Sequence, residues 1–191
     1  MRIPMISVIV LAGLAAACAN LSSTKPVETL DERTGMTVGA LKEPIELLPG
    51  AQDAALVSGK HMSFAYLGPV EWNRSGVLSY GLWVHIVPGI DRQPGDIHAP
   101  AALTLVLEDG PMDLQLTEAP KVGRAPYRQV ASWGQTAYFA LSAQGLKRMA
   151  ASPTLKLDVR AADGSVMSFS PTVNSGAVLT QYVQARGITG D

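Results

Sequence analysis

Side chains able to do chemistry are scarce in this 191-residue chain: three histidines, His61, His85 and His98, and a single thiol at Cys18. His98 follows Asp91 and Asp96 in a Pro/Gly/Asp-rich stretch, and with His85 nearby this loop offers the oxygen and imidazole donors that a divalent cation takes. The spacing matches no metal-site motif, and such runs serve turn geometry. Neither a metal nor any other cofactor is expected. A serine nucleophile would call for a Gly-x-Ser-x-Gly elbow, and the sequence has none; Gly164-Ser165 and Ser175-Gly176 read as turn and cap residues. A Gly-rich phosphate loop or dinucleotide fingerprint is also missing. The carboxylates of Asp31 and Glu32 adjoin in a turn, where hydration accounts for them better than acid/base work.

Cys18 closes a segment of distinct composition. Arg2 is followed by uncharged apolar and small residues from Ile3 to Ala17, the plan of a secretory signal. The run Leu14-Ala15-Ala16-Ala17-Cys18 resembles the lipobox of bacterial lipoproteins, with the favoured Leu one place further upstream than usual. In that family a peptidase cuts before a cysteine already carrying a diacylglyceryl thioether, which takes the thiol away from catalysis. The apolar run is at the short limit for a membrane span, which needs about 20 residues, so a lipid tether is expected instead. The resemblance also implies outer-membrane attachment, because Ala19 stands where an inner-membrane retention signal would place Asp. The expected division is a signal over residues 1–17, the lipidated Cys18 and a polar tether to residue 26, and one domain over 27–191.

Charge limits the partners. With 15 Lys and Arg against 16 Asp and Glu, and no basic run longer than Lys147-Arg148, a nucleic-acid partner is not expected. A membrane held through Cys18, and an envelope protein or glycan, remain. The function expected is a membrane-anchored, non-catalytic envelope binding or scaffolding module. A periplasmic hydrolase or metal-dependent enzyme with an unrecognised site is the alternative.

Residues 27–191 alternate apolar and polar side chains in short runs broken by Gly, Pro, Asn and Asp, the punctuation of strands and turns. Matching apolar faces across each turn sets the registers, because a one-residue slip flips every side chain. This criterion pairs Leu107 with Met112, Leu105 with Leu114 and Leu103 with Leu116. It pairs Val159 with Met167 and Leu157 with Phe169 around a loop in which Gly164 is left-handed. In the most aromatic hairpin it pairs Trp72 with Leu78, Val70 with Tyr80, Gly68 with Leu82 and Tyr66 with Val84 around Arg74-Ser75-Gly76. A further pair over 128–133 and 135–141, and a hairpin turning at 31–35, bring the total to about ten short strands.

Two short helices are expected. One is capped by Ser142 and carries Leu146, Met149 and Ala150 on one face; the other is capped by Asn174 or Ser175, carries Val178, Leu179 and Tyr182, and ends at Gly187. The fold class is therefore mainly β: a single antiparallel, sandwich-like domain, favoured over a closed barrel, with two helices at its edges.

The lipobox, the stretch 27–38, and Gly68-Pro-Val-Glu-Trp-Asn-Arg-Ser-Gly76 followed by Tyr80-Gly-Leu-Trp83 are together similar to an uncharacterised group of proteobacterial lipoproteins. The resemblance implies an envelope location and no particular reaction. In the aromatic hairpin, the expected register turns Trp83 and His85 away from the core, together with Glu71. Either a helix or crossing loop covers Trp83, or Trp83, His85 and Glu71 line a partly exposed face suited to a sugar ring or a partner's apolar anchor. For the anchor, labelled palmitate is expected to enter the wild-type protein and not Cys18→Ser; equal labelling of both would exclude lipidation at Cys18.

Overall fold

The computed structural model describes residues 25–50, 63–89 and 99–188. Cys18, His61, Asp91, Asp96 and His98 lie outside them. Eleven strands form one mainly antiparallel sheet: β1 (Pro26–Asp31), β2 (Met36–Leu41), β3 (Ile45–Pro49), β4 (Phe64–Arg74), β5 (Val77–Val87), β6 (Pro100–Leu107), β7 (Gly110–Leu114), β8 (Leu116–Thr117), β9 (Gln135–Leu141), β10 (Leu155–Ala161) and β11 (Val166–Pro171). The helices are α1 (Ala143–Ala151) and α2 (Ser175–Ala185). Among the described residues no helix is long and apolar enough to cross a membrane.

The strand order is β7-β6-β10-β11-β3-β4-β5-β9-β8. Its two ends are halves of one bent run of chain: 110–114 pair with β6, 116–117 pair with β9, and between them the Ala140 amide donates to the Gln115 carbonyl at 2.8 Å. A single sheet thus nearly closes on itself, within the mainly β, antiparallel class with two helices that the sequence predicts, and with closure where a sandwich was favoured over a barrel. Inside it sit Ile45, Leu47, Leu67, Leu82, Val84, Leu103, Leu105, Leu157, Val159, Phe139 and Phe169, all essentially inaccessible. β4 is long enough, at 11 residues, to serve two neighbours along one edge: β3 beside its first half and the β1–β2 hairpin beside its second.

Three sequence-level pairings need correction. Leu107 pairs with Gly110, Leu105 with Met112 and Leu103 with Leu114, a slip of two that keeps the same faces together, so matching apolar faces could not detect it. In the β4–β5 hairpin the slip is one: Trp72 opposes Ser79, Val70 Gly81, Gly68 Trp83 and Tyr66 His85, around a tight Ser75-Gly76 turn with both residues at positive φ (55° and 87°). Alternation misleads there because both faces are buried. Residues 128–133 form no strand; they belong to an irregular segment that covers the outside of β5.

Both helices form where capping residues call for them. Ser142 Oγ accepts from the Gly145 amide at 2.9 Å, and Asn174 Oδ1 from the Ala177 amide at 3.1 Å. α2 is then fastened at its end: the Tyr182 hydroxyl donates to the Gly39 carbonyl at 3.0 Å, and Arg186 forms ion pairs with Glu71 of β4 and Glu28 of β1. Burial disfavours the Arg186 charge, but the hydrogen bonds it donates to Glu71 and Glu28 outweigh this and hold the guanidinium pKa above its usual range.

The β10–β11 register is the one expected, Val159 with Met167 and Leu157 with Phe169. Gly164 takes φ +85° in its turn. A β-branched side chain is strained at that φ, so Gly164→Val is expected to lower the unfolding free energy by about 1 kcal/mol or more. Urea denaturation reads this directly, and an unchanged midpoint would contradict it.

Candidate functional site

The outer face of β4 and β5 presents Tyr66, Gly68, Val70 and Trp72 beside His85, Trp83 and Gly81. Such a face would be wet in a plain barrel. Here Tyr127, from the irregular segment between β8 and β9, lies flat on it. Gly68 makes room for this, since a β-carbon at that position would lie 2.3 Å from the Tyr127 ring. The Tyr127 hydroxyl donates to the Pro69 carbonyl at 2.7 Å and accepts from the Leu41 amide at 3.0 Å, so one buried oxygen serves two strands. Its burial drives the phenol pKa well above the usual value. The ring packs 5.0 Å from Trp83, which stacks 5.5 Å from His85.

This covering settles where the candidate residues lie. Trp83 is 1% exposed, His85 0% and Glu71 2%, so the partly exposed binding face proposed for them does not form. The one-residue slip also separates them. Trp83 and His85 share the outer face under Tyr127, whereas Glu71 stands opposite Tyr80, on the inward side with Leu82 and Val84. There its carboxylate takes the Arg186 guanidinium, with Nε at 3.2 Å. Among the described residues no group of three or more His, Cys, Asp or Glu is placed to share a cation.

A different site emerges where the covering segment meets the first hairpin. Asp31 closes the β1–β2 turn by accepting from the Thr34 hydroxyl at 2.8 Å, and it reaches across to the Gly123 amide at 2.8 Å. These bonds, the Gly123 amide foremost, hold the carboxyl pKa below its usual value. Between this bridge and Tyr127 lies a cleft of about 940 Å³. Val38, Ala40 and Val27 line its apolar floor, residues 123–129 form its wall, and its charged lining is four cations, Arg33, Lys42, Arg124 and Arg128, against two acids, Asp31 and Glu32. None of those four cations makes an ion pair among the described residues; the ion pairs resolved are Arg148–Asp109, Lys156–Asp158 and Arg186 with Glu28 and Glu71. Beyond Gln129 the same segment leaves Val130 and Trp133 more than half exposed.

No family model, curated protein or solved structure matches the chain. A second hollow, of about 530 Å³ beside α1, is poorer in free charge because Arg148 is held by Asp109 at 2.8 Å. The basic cleft is therefore the better-equipped site. Sequence reasoning missed it, although one signal was present: from Ala119 to Gly134 there are three basic residues, two prolines and a tyrosine, and not one acid.

The buried stack has a pH signature. His85 Nδ1 lies 2.8 Å from the Thr136 hydroxyl, while Nε2 makes no hydrogen bond. Burial pushes the imidazole pKa down, against the Ala131 backbone beside it, which acts the other way. As pH falls below the unfolded value of about 6.5, the unfolded chain gains a proton that the folded one resists, so stability is lost on acidification. Urea midpoints should therefore drop from pH 7.5 to 5.5 more in the wild type than in His85→Phe. Parallel losses would show that His85 is not the group responsible.

Proposed function

We propose that this protein is a lipid-anchored module of the bacterial envelope, held at the periplasmic side of the outer membrane through Cys18, and that it works by binding rather than catalysis. The observation that carries the binding role is the cleft beside the β1–β2 hairpin, in which Arg33, Lys42, Arg124 and Arg128, none of them in an ion pair among the described residues, outnumber the acids Asp31 and Glu32 over an apolar floor. A charge left unpaired on a built wall is available to a ligand, and clefts of this size with a few convergent polar groups are the usual form of binding sites. The anchor reading is supported by the signal-like residues 1–17, the small residues before Cys18 and the resemblance to proteobacterial lipoproteins.

Anchor and cleft are also close along the chain. Lys25, the last residue before β1, accepts through its carbonyl from the Lys42 amide at 2.8 Å, and Lys42 lines the cleft. A tether from residue 18 to residue 25, at about 3.3 Å per residue, keeps the cleft within about 30 Å of the membrane surface. A partner reached there is another envelope component, a protein or a glycan.

In-cell crosslinking tests both halves. A photo-reactive residue replacing Gln129, at the cleft, is expected to give discrete adducts in the membrane fraction, while one replacing the exposed Val166 of the β10–β11 hairpin gives none. Cys18→Ser should move the protein out of the membrane fraction and reduce those adducts. Unchanged fractionation of Cys18→Ser would overturn the anchor, and equal adducts from both positions would overturn the cleft as the site.

A further inference from the structure

Hydrogen bonding in the first hairpin shows which way its main chain points. The bond from the Lys42 amide to the Lys25 carbonyl makes that pair a bonded one, and antiparallel alternation then turns Val27, Thr29 and Asp31 toward β2. The amide and carbonyl groups of Glu28 and Leu30 point the other way. β1 pairs with β2 alone, and among the described residues no backbone group bonds its outer edge. Edge strands are ordinarily blunted by charged side chains, Lys above all, by Pro, by a bulge or by a covering loop or helix. Of these β1 has Pro26 at its start and Glu28, which is held by Arg186, but no Lys between Pro26 and Asp31, and it carries Leu30 60% exposed.

The cleft opens onto that edge. Thr29, Leu30, Asp31, Glu32 and Arg33 all line it, although successive strand residues face opposite ways, so the space wraps round the side of β1. Its cations sit in two pairs. Arg33 and Arg124 are at the hairpin turn, where Gly123 meets Asp31; Lys42 and Arg128 are at the far end, where Tyr127 meets Leu41. The intervening length of β2, from residue 36 to 41, spans about 17 Å at ~3.4 Å per residue.

We propose that the open edge of β1 and the basic cleft beside it form one docking site for an extended acidic segment of a partner protein, which adds to the sheet as a strand. The proposal rests on the reading of the cleft as a binding site and specifies its ligand. A small anion or a sulfated glycan would meet the cations and leave the Glu28 and Leu30 main-chain groups unserved. A peptide backbone serves both, main-chain bonds giving affinity and acidic side chains at the two ends giving selection. Exposed Leu30 and the floor residues Val27 and Val38 give the peptide's alternate side chains an apolar contact.

The test pans a random-peptide phage library on the full-length protein in detergent, with dextran sulfate as a separate polyanion probe. Enriched peptides are expected to be acidic, rich in β-branched residues and free of Pro, and to slow hydrogen exchange at the Glu28 and Leu30 amides. Leu30→Pro removes an outward amide without touching the β1–β2 ladder, and the pair Arg33→Glu with Arg124→Glu reverses one charged end on exposed turns. Each should weaken peptide binding by about tenfold or more, and the charge-reversal pair keeps the test decisive should Leu30→Pro fail to fold. Peptides enriched without acidic residues, or bound equally by the variants, would overturn the proposal. If no peptide is enriched while dextran sulfate binds the wild type and not the charge-reversed protein, the strand-addition proposal falls and the binding role of the cleft stands. Failure of both probes removes both.

Discussion

The seat of Tyr127 is the constraint on which the rest of the outer surface depends. One phenol oxygen, buried and bonded on both sides, ties the Pro69 carbonyl of β4 to the Leu41 amide at the end of β2. Removing it would leave two buried main-chain groups unserved, each costing roughly 1–3 kcal/mol. The ring occupies the notch that Gly68 leaves and keeps water from Trp83 and His85. An irregular segment with hardly any regular hydrogen bonding of its own is thereby fixed in place, and its fixed position is what gives the cleft a wall.

Burial on both faces of β4 and β5 follows from the same arrangement, and it decides what could be read from the sequence. Where one face of a hairpin is wet, polarity alternates and register can be inferred: Leu157, Val159, Met167 and Phe169 point inward, Asp158 and Ser168 do not, and the pairing expected is the pairing found. In 65–72 and 81–87 nearly every side chain is hidden from solvent, on the inside by the barrel core and on the outside by Tyr127 and its neighbours. Alternation there carries no information about facing, and the one-residue error placed Glu71 with Trp83. Helix caps were legible because Ser142 and Asn174 act through contacts three residues away. The cleft was not, because Arg33, Lys42, Arg124 and Arg128 come from segments that only the folded chain brings together.

Glu71 illustrates how a buried charge can be structural. It faces inward beyond the point where β3 gives way to β2, and it would be costly there alone. Arg186 meets it from the last turn of α2, and Tyr182 bonds the neighbouring Gly39 carbonyl. The charge that looked like part of a binding surface is instead what fastens the helix.

That fastening joins the two ends of the domain. Arg186, near the C-terminus, holds Glu28 in the first strand, and β3 finds its second neighbour only in β11. Contacts between segments so far apart along the chain form late, because closing long loops comes before any reward from them. A polypeptide emerging from its N-terminus would therefore hold the first hairpin without its helix, and the third strand without its partner, until residues 166–186 had followed. Completion of the ring waits for β11 and α2, so that closure of the sheet and docking of the helix become a single late event in the order of assembly.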